Sequence, residues 1–179
     1  PKFYLVDHLG MGSTSKAYLA LTPDGYDCVV KIYVKRRGDD KVVLSKKVFD
    51  KEANKAVARE VNMYKTIYGD ELSGYVWQQK MNGLQCVIHP YFKHPDKEDR
   101  IELLDKIRTH LIDSFANRGK AFATSDQVWR HVGWFNKKLY LFDLADLEPG
   151  CAGDVDNHIN RLRLRHTGTQ APDDTDASG

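Results

Sequence analysis

Gly10-Met11-Gly12-Ser13-Thr14-Ser15-Lys16-Ala17 lies between two stretches that read as strands, Lys2 to Gly10 and Ser15 to Leu21. Glycines in such a turn let backbone amides approach an anion closely. The same pair also serves as an ordinary hairpin turn. It is not a Walker loop, because no Gly-Lys-Ser/Thr follows. It is not a dinucleotide fingerprint, because a strand rather than a helix comes next. Pro23-Asp24-Gly25 then turns the chain into Tyr26 to Val34, which is rich in Val, Ile and Tyr. Inside that stretch, Val29-Val30-Lys31-Ile32 sets a lysine among apolar residues. A strand lysine ordinarily points to solvent, but this one is flanked by apolar residues on both sides.

Beyond these strands the pattern alternates between elements. Lys35 to Lys47 is polar and basic, a solvated connection or the lead-in to a helix. From Phe49 to Ile67, Phe49, Ala53, Ala56, Val57, Val61, Tyr64 and Ile67 fall at helical spacing, and Gly69 and Gly74 punctuate the end. Tyr75 to Met81 and Leu84 to Tyr91 read as strands joined by Asn82-Gly83, the strongest short hairpin signal. Pro90 and Pro95 bracket a linker, and Lys93 to Asp99 is a candidate lobe boundary. Ile101, Leu104, Ile107, Leu111, Ile112 and Phe115 form a second helical stripe, closed by Gly119. Phe122 to His131 reads as a loop or short turn. Val132 to Phe135 and Leu139 to Phe142 read as a hairpin over Asn136-Lys137-Lys138. Asp154 to Arg165 reads as a last helix. Thr167 to Gly179 lacks apolar periodicity and is expected to be a disordered tail.

Composition narrows the function classes. Of 179 residues, 41% are hydrophobic and 29% charged, which excludes wholesale disorder. A net charge of +2 makes no case for a nucleic-acid binder, and no apolar run is long enough to span a bilayer. Cys28, Cys86 and Cys151 are odd in number and share no short spacing. That argues against a disulfide scaffold or a zinc knuckle and favours a reducing compartment. Pro1 to Asp7 lack the layout of a signal peptide. The expected location is therefore intracellular, cytoplasmic or nuclear, with no membrane partner.

The succession of glycine turn, strand lysine, helix with Glu60, two strands, proline-bearing linker and long amphipathic helix resembles the protein-kinase fold. The later part of the chain continues the likeness with Asp126, then His131 five residues on, then a short hairpin ending at Asp143. The likeness covers about Leu5 to Asp146, and it rests on order and spacing rather than on any single motif. It implies an α+β fold, with an antiparallel N-lobe sheet carrying one helix and a reduced helical C-lobe. The implied divisions are 1–92 (glycine loop, lysine strand, helix and hinge), 93–165 (reduced C-lobe) and 166–179 (disordered tail).

Residue by residue, Gly10 and Gly12 match the first two glycines of the kinase loop, Ser15 stands for the third, and Ala17 for its valine. Lys31 matches the lysine that holds nucleotide phosphates and pairs with a helix glutamate. Glu60 fits that glutamate, with Glu52 as the rival. Val87-Ile88-His89-Pro90-Tyr91-Phe92 resembles the strand entering the hinge. It would bring the backbone of His89 to Phe92, Tyr91 included, against an adenine edge, with His89 near the back of the pocket or in the core. Thr124-Ser125-Asp126 takes the place of His-Arg-Asp. Asp126 would be the base or orienting group for a hydroxyl, and its alternative is a helix N-cap before Gln127. Asp143-Leu144-Ala145 takes the place of Asp-Phe-Gly, with Asp143 as metal ligand, Asp146 as rival, and Glu148 nearby.

The departures are informative. A kinase has Asn where this chain has His131; imidazole can bind a metal but suits hard magnesium less well. Only 36 of the 179 residues follow Asp143. No counterpart of a kinase's activation segment, Ala-Pro-Glu element or substrate platform can be found there. Shortened kinase-like domains of this kind are similar to those ending some Crinkler-type secreted effectors of oomycetes and fungi, which would place the protein inside a host cell. The resemblance thus implies binding of ATP with Mg²⁺ or Mn²⁺ and transfer of the γ-phosphoryl group to a protein or small molecule. The second reading is a pseudokinase that recognises a partner protein. A third discards the resemblance for an α+β interaction domain in which Trp129 and Trp134, whose favoured alternative is a place in the core, anchor a partner.

Overall fold

A computed structural model describes residues 2–11, 15–34, 45–122, 127–142 and 147–168. They fall into two compact units, Pro1–Tyr91 and Phe92–Gly179. The architecture is α+β, and the first unit carries a five-stranded antiparallel sheet.

In the first unit the strands are β1 (Tyr4–Met11), β2 (Ser15–Leu21), β3 (Asp27–Tyr33), β4 (Trp77–Met81) and β5 (Leu84–Pro90), in the order β1-β2-β3-β5-β4. Two turns set the registers. Thr22 closes the β2–β3 turn, accepting the Gly25 amide on its carbonyl and the Tyr26 amide on its hydroxyl, with Gly25 at φ 85°. Asn82 and Gly83 have φ of 50° and 78°, the paired left-handed conformation of a two-residue hairpin, so Met81 faces Leu84. The helix α1 (Lys46–Tyr68) packs on β5 and β4. It begins three residues before the first apolar position of its stripe, because Ser45 accepts the Val48 amide and caps it.

The sheet's two faces are chemically distinct, as strand alternation requires. Cys28, Val30, Cys86 and Ile88 share one face with Ala20, and the partly buried Phe3, Ile32, Trp77 and Met81 pack against them. The alternate positions, Val29, Lys31 and Tyr33 on β3 with Val87 and His89 on β5, turn the other way. That second face is where α1 lays Glu60 and Tyr64.

The second unit holds α2 (Arg100–Ser114), α3 (Gln127–Arg130) and α4 (Ala152–Thr167), with two small sheets. One sheet pairs β6 (Lys120–Phe122) with β9 (Leu147–Pro149), and the other pairs β7 (Val132–Phe135) with β8 (Lys138–Leu141). The β7–β8 turn is two residues rather than the three expected. Asn136 and Lys137 take φ of 47° and 64°, and Lys138 joins the strand opposite Phe135. Leu104, Ile107, Leu111 and Phe115 are buried with Val155, Ile159 and Leu162 of α4. Arg108–Asp156 and Arg163–Asp105 ion pairs tie the same two helices at the surface. Of the segment expected as a tail at 166–179, His166 and Thr167 finish α4, which Gly168 ends at φ 72°; residues 169–179 lie outside the described residues. Among the described residues, no helix is long and apolar enough to cross a membrane.

Candidate functional site

Lys31 is only 9% exposed, and its Nζ donates to Glu60 Oε1 at 3.1 Å, with Glu60 5% exposed. An ammonium and a carboxylate, both largely withdrawn from water, thus meet at ion-pair distance. Removing one partner from such a pair typically costs about 3–5 kcal/mol. The rival Glu52 is exposed on α1 and lies 3.9 Å from Lys55. Tyr33, which the sequence offers only as a strand residue, joins the pair: its hydroxyl donates to Glu60 Oε2 at 3.0 Å. The signal that could have found it is its position two residues after Lys31, hence on the same face of β3.

Register places small residues beside this cluster. Lys31 sits opposite Ala17, Ala17 opposite Gly10, and Ser15 opposite Tyr33. Gly10 does not adopt a left-handed backbone, and a Cβ built on it meets nothing within 4 Å. Neither turn geometry nor packing among the described residues therefore requires a glycine there. Ser15 is buried, and Gly12 lies outside the described residues.

His89 is buried on the α1 face, stacked on Tyr64 at 5.9 Å between ring centroids, with Nδ1 2.8 Å from its neighbour's carbonyl, Pro90 O. These are contacts of a core histidine, while its backbone runs along the end of β5. Tyr91, half-buried, comes directly after the strand. An open groove of about 520 Å³ lies elsewhere in the first unit, lined by residues including Asp50, Lys51, Asn54, Gln78 and Gln85. It excludes Lys31, and Gln78 closes on Asn54 and Gln85 through amide hydrogen bonds. The groove's charged lining includes Lys51 and Lys80, and the buried Lys31–Glu60 pair is separate from it.

In the second unit, His131 is buried between α3 and β7. Its Nδ1 lies 3.1 Å from the Phe142 carbonyl, and its own carbonyl accepts the Phe142 amide at 2.9 Å. The sequence offers this imidazole to a metal; in the structure its Nδ1 faces the Phe142 carbonyl. Asp126, Asp143 and Asp146 lie outside the described residues. Among the described residues, no group of three His, Cys, Asp or Glu side chains converges to hold a metal. Trp129 and Trp134, read from the sequence as core residues or, in the third reading, as partner anchors, are half-buried. Trp129 lies under the Arg100 guanidinium at 5.1 Å, and the Trp134 backbone pairs with Lys93.

Among solved structures, the chain is similar to one described as PpkA-294 in its apo form, at 14% identity and a TM-score of 0.48. That similarity covers 96% of this chain and 66% of the other, so this chain spans about two thirds of that structure's length. No curated protein matches the chain. A family match reaches from inside β1, through Lys31 and Glu60, to the last residue of β7: over residues 8–135 the chain belongs to the family described as "Family of unknown function (DUF5898)".

Proposed function

We propose that the chain is a minimal protein-kinase-like domain that binds ATP with a divalent cation and transfers the γ-phosphoryl group to a hydroxyl acceptor on a protein or small molecule. The observation that carries this reading is the buried pair between Lys31 of β3 and Glu60 of α1. A buried ammonium is costly to build and serves no packing need that a leucine would not serve better. Its neighbours across the sheet, Ala17 and Gly10, are small enough to leave room for phosphate oxygens above it.

The roles derive from charge and position along the chain. Lys31 would hold the phosphates and Glu60 would orient Lys31. Asp126 would receive or direct the acceptor's proton. Asp143, or Asp146 in its place, would hold Mg²⁺ or Mn²⁺, which when bound supplies neutralising charge to the phosphates. Phosphoryl transfer depends on positioning and electrostatics, so a small scaffold suffices in principle. A second reading, a pseudokinase that binds a partner protein, draws on His131: the kinase asparagine's place holds a buried imidazole bonded to the Phe142 backbone.

Radiolabelled-ATP transfer with each metal tests the choice. Asp126→Asn should still bind ATP but transfer at least a hundredfold less, the scale of a lost general base. Asp143→Asn should lose metal-dependent binding and transfer together. Wild type that binds ATP and transfers nothing, with either metal and a broad acceptor set, establishes the pseudokinase reading instead.

A further inference from the structure

Glu60 is gripped by two donors from one strand. Lys31 Nζ takes Oε1 and the Tyr33 hydroxyl takes Oε2, at 3.1 and 3.0 Å. Lys31 and Tyr33 are two residues apart on β3, so both project from the same face. β3 is the middle strand of the five, paired to β2 on one side and β5 on the other. All three side chains are buried.

A carboxylate held by one ammonium can still rotate about its last bond and let the partner swing. A second donor on the other oxygen fixes the carboxylate plane, and a hydrogen bond to an ionised acceptor is among the stronger kinds. The phenol is rigid beyond two torsions and cannot follow Glu60 away from the strand.

We infer that Tyr33 is a positioning residue: it locks Glu60, and through Glu60 the Lys31 ammonium, in the arrangement that holds phosphate. This rests on the reading of Lys31 as a phosphate-holding lysine. Tyr33 contributes to binding only through the phosphate end of a nucleotide.

Calorimetric titration of ATP and of adenosine into wild type, Tyr33→Phe, Glu60→Gln and the double variant separates the possibilities. Tyr33→Phe should weaken ATP about tenfold, a typical size for losing one hydrogen bond to a charged group. Adenosine affinity should stay unchanged. In the Glu60→Gln background the Tyr33→Phe effect should shrink, because the amide offers one acceptor oxygen where the carboxylate offers two. Equal losses for ATP and adenosine, or effects that add across the double variant, would make Tyr33 a packing residue and overturn the inference. If Tyr33→Phe does not fold, Glu60→Asp, too short to reach both donors, must show the same ATP-only loss; unchanged ATP affinity in Glu60→Asp overturns it. If wild type binds neither ligand, the nucleotide reading fails, and the clamp is decided without ligand by nitrogen-detected NMR of the lysine ammonium groups. A Lys31 signal resolved by slow exchange in wild type and broadened in Tyr33→Phe supports the clamp. An identical signal in both rejects it.

Discussion

Lys31 shows how far a single residue can be read. Its apolar neighbours Val29, Val30 and Ile32 announce a strand, but those on either side of it face away, toward the Cys28–Val30–Ile88 cluster. What keeps Lys31 dry is α1, and the choice of Glu60 over Glu52 depends on which helical face meets the sheet. The sequence order favours Glu60, and the sheet's α1 face carries it. Tyr33 stays hidden in the sequence because a strand tyrosine has an ordinary packing explanation. The two sheet cysteines are legible there only as unpaired. Burial, and for Cys28 the neighbouring Asp27 charge, push the Cys28 and Cys86 thiols up to about 11. At pH 8 a thiol reagent should therefore label Cys151, which is exposed, well before the other two; simultaneous labelling of all three would contradict the buried placement. The folded state favours the neutral thiol, so this contribution to stability is complete below pH 9 and is lost as pH rises toward 11. Gly133 makes a sharper steric test, since a Cβ there would sit 2.6 Å from Phe92 Cβ and 2.7 Å from its backbone carbon. Gly133→Ala should destabilise the fold by about 1–3 kcal/mol in urea titration.

At the scale of elements, legibility tracks turn chemistry. Asn82-Gly83 names its own hairpin because both residues accept positive φ. Asn136-Lys137 is less explicit: lysine seldom adopts φ 64°, so the sequence makes this loop look one residue too long. The β6–β9 pairing has no signal to read: each strand is three residues, too short for alternation, and they come from distant parts of the chain. The short α3 lacks a full helical period for the same reason. The last helix is visible, but its start lies at Cys151-Ala152 rather than Asp154. Asp154 reaches back to accept the Cys151 amide at 2.8 Å, closing a capping box. That amide holds the Asp154 carboxyl below its ordinary range, with the Cys151 side chain and His158 adding to the effect. Because the folded value is depressed, the contribution is present above the ordinary carboxylate range and is lost as pH falls from there through the lower folded value. Asp154→Ala should lower the melting temperature at pH 7 and make less difference near pH 3; an equal loss at both would show that the cap does not titrate.

For the molecule as a whole, order along the chain carries more than any motif. A glycine turn, a strand lysine and a helix glutamate are each commonplace. Together they predict a five-stranded antiparallel sheet bearing one helix, and that sheet is present. Asp126, Asp143 and Asp146, proposed for the acceptor and the metal, lie outside the described residues, so the central claim stands on Lys31. Its most direct test is the melting temperature of wild type and Lys31→Met with millimolar ATP and Mg²⁺ or Mn²⁺. Lys31→Met should melt lower without ligand, because Glu60 loses a charged partner in a buried place. The ligand-induced shift is therefore the quantity to compare. A ligand at a hundredfold excess over its dissociation constant stabilises the folded state by about 2.7 kcal/mol. For a chain of this size that raises the wild-type midpoint by roughly 5–10 °C, and Lys31→Met should show no shift. A wild-type midpoint unmoved by nucleotide and metal, or an equal shift in Lys31→Met, would contradict the account.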